Sequence, residues 1–351
     1  MTRHLLIGTY TERLAFVDGH ADGLLAARFD GTAVAEVALA AGAGGPANPS
    51  WVAVAPGGAA AYAVSETEPD GAIVAFARAE DGTLTELGSV SSGGASPAHL
   101  VVHPFRPLLI TGTYGSGTVS VFALNEDGSI GERTAFVQHE GRGPEPSRQD
   151  APHVHQLNVD PVSGDVVVVD LGLGEVRWYT LSEAGSLTLR PEATVSVGAS
   201  GPRHLAFHPD GRHILLLNEL DSTLDLLRRE GDRFERVASF GTRGASATGA
   251  NQTAAVRVTA DGRTVLVTNR GDDTIGVFAF DAGASQLEFV EVVPVGGRTP
   301  RDLVISPEGD RVLAACQDSD EVSVFAFDAA TRSLRPLGVS PVPTPVCLVF
   351  V

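Results

Sequence analysis

Lysine is absent from this chain, so all 25 of its lysine-or-arginine positions are arginine. That excludes Schiff-base catalysis, a pyridoxal lysine and a P-loop lysine. Any anion gripped by a permanently charged side chain meets a guanidinium, which suits bidentate recognition of carboxylate or phosphate. Only two cysteines occur, Cys316 and Cys347, and neither stands in a CxxC pattern or a Cys/His cluster. A disulfide framework is thereby excluded, and both read as small core residues. No run approaches the roughly 18 apolar residues of a membrane span. The opening MTRHLLIGTYTER lacks an apolar h-region followed by a small-residue cleavage site, so the expectation is a mature, cytoplasmic protein. Positive charge is scarce as well. A net charge of −18, with no basic run interleaved with aromatics, argues against nucleic acid and anionic membranes as partners.

What the chain does have is turns and short apolar runs. Its 40 glycines and 21 prolines, beside 43% hydrophobic residues, describe a turn-rich globular protein with ample material for a core. One hairpin recurs: WVAVAPGGAAAYAVSE (51–66), HLVVHPFRPLLITGTY (99–114), HQLNVDPVSGDVVVVDLG (155–172), HLAFHPDGRHILLLNE (204–219), AVRVTADGRTVLVTNR (255–270) and DLVISPEGDRVLAACQ (302–317). Each is an apolar run, a turn and a second apolar run. The turn residues Pro56, Pro104, Pro161, Pro209, Ala260 and Pro307 set a period of about 50 residues, in the range of propeller blades. Alternating strands such as GTVSVFAL (117–124) and DTIGVFAF (273–280) follow, each with a turn and a further short strand. Four antiparallel strands per unit and no sustained helical period make the chain all-β.

The termini set the blade number. TPVCLVFV (344–351) matches the first half of a unit and HLLIGTY (4–10) the second half, as in LLITGTY (108–114). Six complete hairpins and one assembled from both ends predict a seven-bladed β-propeller, a single domain over 1–351 closed by pairing of the N- and C-terminal strands.

In such a ring, the start of each innermost strand and the end of the next strand converge on one mouth of the axial channel. Six residues before the turn stand Ser50, Ala98, His155, Arg203, Ala254 and Arg301; eight after the turn glycine or its equivalent stand Glu66, Tyr114, Gly172, Glu219, Arg270 and Gln317. Positions needed only for packing would be filled alike, and these are not. His155, Arg203, Glu219 and Arg270 form a chemical set: two guanidiniums for an anion or oxyanion, a histidine and a carboxylate for proton transfer. The same residues also suit inter-blade salt bridges lining a wet channel.

Other signals are weaker. His153 and His155 in PHVH face one side of a strand, but with Asp150 as the only local carboxylate they make no metal site. His204 and His208, matched by His99 and His103 in an earlier repeat, read as hydrogen-bonding residues of the framework. GTYGSG (112–117) and GLGE (172–175) join strand to strand and read as turns. The connection EGRGPEPSRQDAP (140–152) is the longest Pro/Gly/charge-rich segment and leads into the two histidines; a lid or specificity element and a disordered surface loop both fit it.

At GPRHLAFHPDGRHILLLNEL (201–220), with PHVHQLNVDP (152–161) and DGRTVLVTNRG (261–271), the sequence resembles the seven-bladed propeller lactonase family, which includes 6-phosphogluconolactonases and fungal carboxymuconate-lactonising enzymes. The likeness covers essentially the whole chain. It implies a cofactor-independent enzyme acting on a small-molecule lactone, most directly the hydrolysis of 6-phosphoglucono-δ-lactone to 6-phosphogluconate. Lactonising cycloisomerisation of a muconate-type acid is the alternative, and a non-catalytic propeller that binds a small molecule or protein is a third. The resemblance assigns the catalytic set to His155, Arg203, Glu219 and Arg270, leaving His153, Arg301, Glu66, Tyr114 and Gln317 as candidate substrate contacts. Relatives carry an acid where Ala255 stands. A monomer or weak homo-oligomer is expected, and Arg203→Ala or Glu219→Gln is expected to abolish most turnover while barely changing the melting temperature.

Overall fold

The computed structural model describes residues 2–42 and 45–351. Seven antiparallel sheets of four or five strands stand around an axis, and one further two-stranded hairpin, Arg13–Leu14 with Val17–Asp18, projects from the first blade. The blade made of Pro345–Phe350, Arg3–Thr9, Leu25–Phe29 and Val34–Leu39 takes its innermost strand from the C-terminus, and the pairing of Leu6 with Val349 and Ile7 with Leu348 closes the ring. No α-helix occurs among the described residues; three short 3₁₀ turns are the only helical pieces.

Apolar patterning follows position in the blade. The second strand is sandwiched by neighbouring blades on both faces, so it is buried at every residue in Ala60–Ser65, Leu108–Thr113, Val166–Asp170 and His213–Asn218. Both-sided burial favours unbroken runs such as VVVV (166–169) over alternation. Outermost strands such as Leu84–Ser91 and Ser333–Pro341 are largely exposed, and their apolar residues are isolated. The core is therefore a series of inter-blade clusters, exemplified by Val167, Trp178, Leu205 and Leu216 between the fourth and fifth blades. Cys316 and Cys347 lie within these clusters, and burial pushes both thiols up, Cys316 to about 12.

Side chains on the innermost strands staple one blade to the next. Leu157 N donates to His99 Nδ1 at 3.4 Å, Leu205 N to Gln156 Oε1 at 2.6 Å, and Leu348 N to Asp302 Oδ2 at 2.9 Å. Ala255 occupies the corresponding register in the sixth blade and is buried in the apolar cluster between the sixth and seventh. The register that carries an acid in blade seven thus serves packing alone in blade six.

At the opposite end of the blades, the HP turns repeat a second staple. His103 Nε2 meets the Gly164 carbonyl at 3.3 Å and His208 Nε2 meets that of Gly262 at 3.0 Å. Among the described residues, His208, Asp210 and His213 are the one histidine–carboxylate group close enough to hold a metal ion. Asp210 already bonds His213 Nδ1 at 2.8 Å, His213 Nε2 meets Ser285 Oγ at 2.9 Å, and the His208 bond is the same framework bond made by His103, which has no such acid beside it.

Candidate active site

Every innermost strand except Val52–Val54 of the second blade carries a β-bulge near its start. Pro97 pairs with Thr113 but His99 with Gly112; Pro202 with Asn218 but His204 with Leu217; Pro300 with Cys316 but Asp302 with Ala315. The fourth blade skips between Val154 and Gln156 and the first between Pro345 and Cys347. In these five blades the skipped residues are Ala98, His155, Arg203, Arg301 and Val346. A bulge leaves one residue outside the ladder and re-aims its side chain, and all five line one cavity of about 520 Å³ at the channel mouth. Glu66, Tyr114, Glu219 and Arg270, at the ends of the paired second strands, complete the wall together with Tyr10, Trp51, His204, Gln252 and Arg148.

Glu219 is the hub. Its Oε2 lies 2.8 Å from Arg270 Nη2 and 3.1 Å from Arg203 Nε, and its Oε1 lies 2.6 Å from Arg148 Nη2. Burial by itself would raise this carboxyl, but Arg270, Arg203 and Arg148 outweigh it and hold Glu219 well below the usual carboxylate range. A carboxylate so held is a poor proton acceptor. Three positive charges surround one negative charge, leaving a local excess of two. The Arg203 contact is misaligned for a hydrogen bond, so Arg203 Nε is a buried donor without an acceptor, as is Arg270 Nε. Arg203 Nη1 donates to the Ala254 carbonyl, and Arg270 Nη2 also donates to Thr253 O at 2.8 Å.

His155 faces Tyr114 and His204 edge-on, at ring-centroid distances of 5.7 and 5.3 Å. Burial, reinforced by the positive Arg203, pushes its pKa well below that of a free imidazole, so the ring is neutral at neutral pH. Its Nδ1 is buried with no partner, and no protein bond there fixes the tautomer. On another part of the wall, Glu66 Oε2 accepts from Ser50 Oγ and, at 3.0 Å, from the Tyr10 hydroxyl. Burial raises the Glu66 carboxyl against the lowering influence of these bonds and of Arg301. Arg301 rests over the Tyr10 and Phe16 rings at 5.5 and 5.6 Å.

The structure therefore brings His155, Arg203, Glu219 and Arg270 together with Arg301, Glu66 and Tyr114. His153 lies one layer back: it stacks on Tyr114 at 4.4 Å and meets the Tyr114 carbonyl at 2.8 Å, supporting the wall from behind. Gln317 opens onto an adjoining hollow that shares Phe16, Gln252, Arg270 and Arg301 with the main cavity. His204, expected to serve the framework by hydrogen bonding, lines the cavity with its Nδ1 unpartnered. In the fourth blade the residue following the paired strand end is Leu171, not Gly172, because the DPVSGD turn is one residue longer before its glycine.

Tyr10 and Arg148 are among the wall residues that escape the repeat count. Tyr10 is the blade-one counterpart of Tyr114, a match already present in LLIGTY and LLITGTY. Arg148 has no repeat signal, since it belongs to the connection 140–152. That connection is built, with its ends sealed on Asp170, which meets His139 Nδ1 at 2.6 Å and accepts from His153 N at 2.9 Å. Gln149, wholly buried, donates to Leu171 O and Gly198 O, both at 2.9 Å. Gly172 is required where this segment returns, because a Cβ there would collide with the Ala151 carbonyl.

A propeller with a neutral imidazole and an arginine-clasped carboxylate at one mouth has the equipment of a small-molecule enzyme acting on an anionic, carbonyl-containing substrate. The chain belongs to the seven-bladed β-propeller lactonase family, whose profile matches residues 4–350. It is 34% identical to a 6-phosphogluconolactonase of Bacillus subtilis over 313 residues, 88% of this chain and 86% of that protein. Among solved structures, a Lactobacillus plantarum protein superimposes with a TM-score of 0.91 at 30% identity, covering both chains completely. A periplasmic gluconolactonase of Pseudomonas aeruginosa gives 0.90 at 30% identity over 100% of this chain and 99% of that one.

Proposed function

We propose that this protein hydrolyses the ring ester of a sugar lactone, 6-phosphoglucono-δ-lactone above all, to the open aldonate. The observation that carries this reading is one cavity holding a neutral imidazole beside three guanidiniums that share a single carboxylate. His155 takes a proton from water as the oxygen attacks the lactone carbonyl. The guanidiniums of Arg203 and Arg270, which line the cavity, supply the positive charge that stabilises the oxyanion as it develops. As the ring C–O bond breaks, the alkoxide takes its proton from the imidazolium, and water has been added across the ester with no net change at the protein. Glu219 is a positioning residue that orders the arginines. Glu66, held toward its protonated form, hydrogen-bonds a sugar hydroxyl or the departing ring oxygen.

The test is hydrolysis of freshly generated 6-phosphogluconolactone, set against its spontaneous rate and against unphosphorylated gluconolactone. Acceleration with loss of roughly 10²- to 10⁴-fold in His155→Ala is expected; an unaccelerated reaction with both lactones defeats the proposal. We also propose cytoplasmic action as a monomer or weak homo-oligomer. A phosphorylated substrate supports the compartment. The exposed large apolar side chains of the described residues are spread over several blades, from Phe16 and Phe105 to Val162, Phe289 and Val339, which supports the oligomeric state.

A further inference from the structure

We infer that Arg148, carried by the connection between the third and fourth blades, is the residue that reads the substrate's phosphoryl group, exchanging Glu219 for the phosphate when substrate enters. This rests on the lactonase reading and names the part of the site that sets its substrate class. Four arginines line the cavity. Arg203 and Arg301 sit in strand bulges and Arg270 ends a strand, so all three are fixed by the ladder. Arg148 alone comes from outside the blades. Its side chain is 33% exposed, against 4% for Arg203 and 12% for Arg270, so it is the guanidinium of the Glu219 cluster that opens most to incoming solute.

Its present contacts use one nitrogen. Nη2 donates to Glu219 Oε1 at 2.6 Å and to the Tyr114 hydroxyl at 3.2 Å, while Nε and Nη1 make no hydrogen bond among the described residues. A guanidinium holds phosphate through two parallel N–H groups; both such edges of Arg148 include Nη2, so it is the release of Nη2 by Glu219 that opens a two-pronged edge, with Nε or Nη1 as the free second donor. Glu219 can release Nη2, since Arg203 and Arg270 remain on the other carboxylate oxygen. The local excess of two positive charges matches a phosphoryl dianion and exceeds what a neutral sugar lactone needs. The Arg301 guanidinium, by contrast, already lies against two aromatic faces and in the field of Glu66. The backbone beneath Arg148 is suited to a reader: Gln149 N bonds Glu145 O at 2.7 Å, and Glu145 N bonds the Gln149 side chain at 2.9 Å.

The experiment compares kcat and KM of wild type, Arg148→Gln and Arg148→Lys for 6-phosphogluconolactone and gluconolactone, with calorimetric binding of the products 6-phosphogluconate and gluconate to each. We expect Arg148→Gln to lower the ratio of kcat/KM for the phosphorylated over the plain lactone by roughly 10- to 100-fold, the range for a lost charged hydrogen bond. The loss should fall in KM, Arg148→Lys should restore part of it, and 6-phosphogluconate binding should weaken in parallel. Equal losses for both lactones, borne by kcat, would show that Arg148 serves only to hold Glu219 and would overturn the inference. Should the wild type accelerate neither lactone, the hydrolase reading fails separately; the binding arm then decides, with loss of 6-phosphogluconate affinity in Arg148→Gln sustaining the assignment and unchanged or absent affinity ending it.

Discussion

At the residue scale, the division between His155 and Glu219 follows from what surrounds each. A carboxylate among three guanidiniums keeps its charge and cannot collect a proton; an imidazole in the same positive field stays neutral and can. If His155 is the base, as proposed, it must be neutral to act, and because burial holds its pKa well below the free imidazole value the acid limb of kcat/KM should fall below the ordinary histidine range; a limb centred at 6.5 or above in a pH–rate series would contradict that. Glu219 also bears on stability. Its folded pKa is below its unfolded value of 4.5, so its contribution is complete above the unfolded pKa and drains away as pH falls from there toward the folded value. Breaking this buried cluster leaves unpaired cations, a loss of about 3–5 kcal/mol in comparable sites. Glu219→Ala should therefore lower the denaturation midpoint markedly at pH 7, with a smaller difference from wild type at pH 3. The expectation from sequence that these positions could be changed at little cost in melting temperature does not survive the three-arginine contact; Glu219→Gln, which keeps one acceptor oxygen, should fall between.

At the scale of the element, the bulge and the inserted connection do different things. The bulge recurs in six of the seven blades and in five of them turns one residue into the cavity, so identity can vary there while the ladder stays intact. The connection occurs once, and its placement depends on Gly172, Gln149 and Asp170. Gly172→Ala should displace residues 151–153 and with them Arg148, raising KM for the phosphorylated lactone roughly tenfold through a weakened charged hydrogen bond. The overall melting curve should change less than for Glu219→Ala, and steady-state kinetics beside calorimetric melting would check the pair.

For the whole molecule, closure is the governing feature. The strand Pro345–Phe350 is the innermost strand of the first blade and buries Val346, Cys347 and Leu348. We propose that 1–351 folds as one unit. A chain ending at residue 344 should then lose far more than the packing of seven residues, because it leaves an open edge on Arg3–Thr9 and unseals the ring. Loss of a single cooperative transition in thermal unfolding is the expected outcome, and an unchanged transition would argue that the blades are independent.

Sequence alone determined the seven blades, their closure and the mouth residues His155, Arg203, Glu219 and Arg270, because a repeated hairpin fixes its own register and side chains at equal offsets must share an end of the ring. Even there it missed Tyr10, whose repeat partner Tyr114 was in plain view. Tertiary structure decided the rest. Arg148 carries no repeat offset, and only the folded connection brings it across 71 positions of chain to Glu219. The proposed choice of His155 over Glu219 as proton acceptor rests on how many guanidiniums crowd each group and how much water reaches it. Those are properties of distance and burial, which no spacing along the chain encodes.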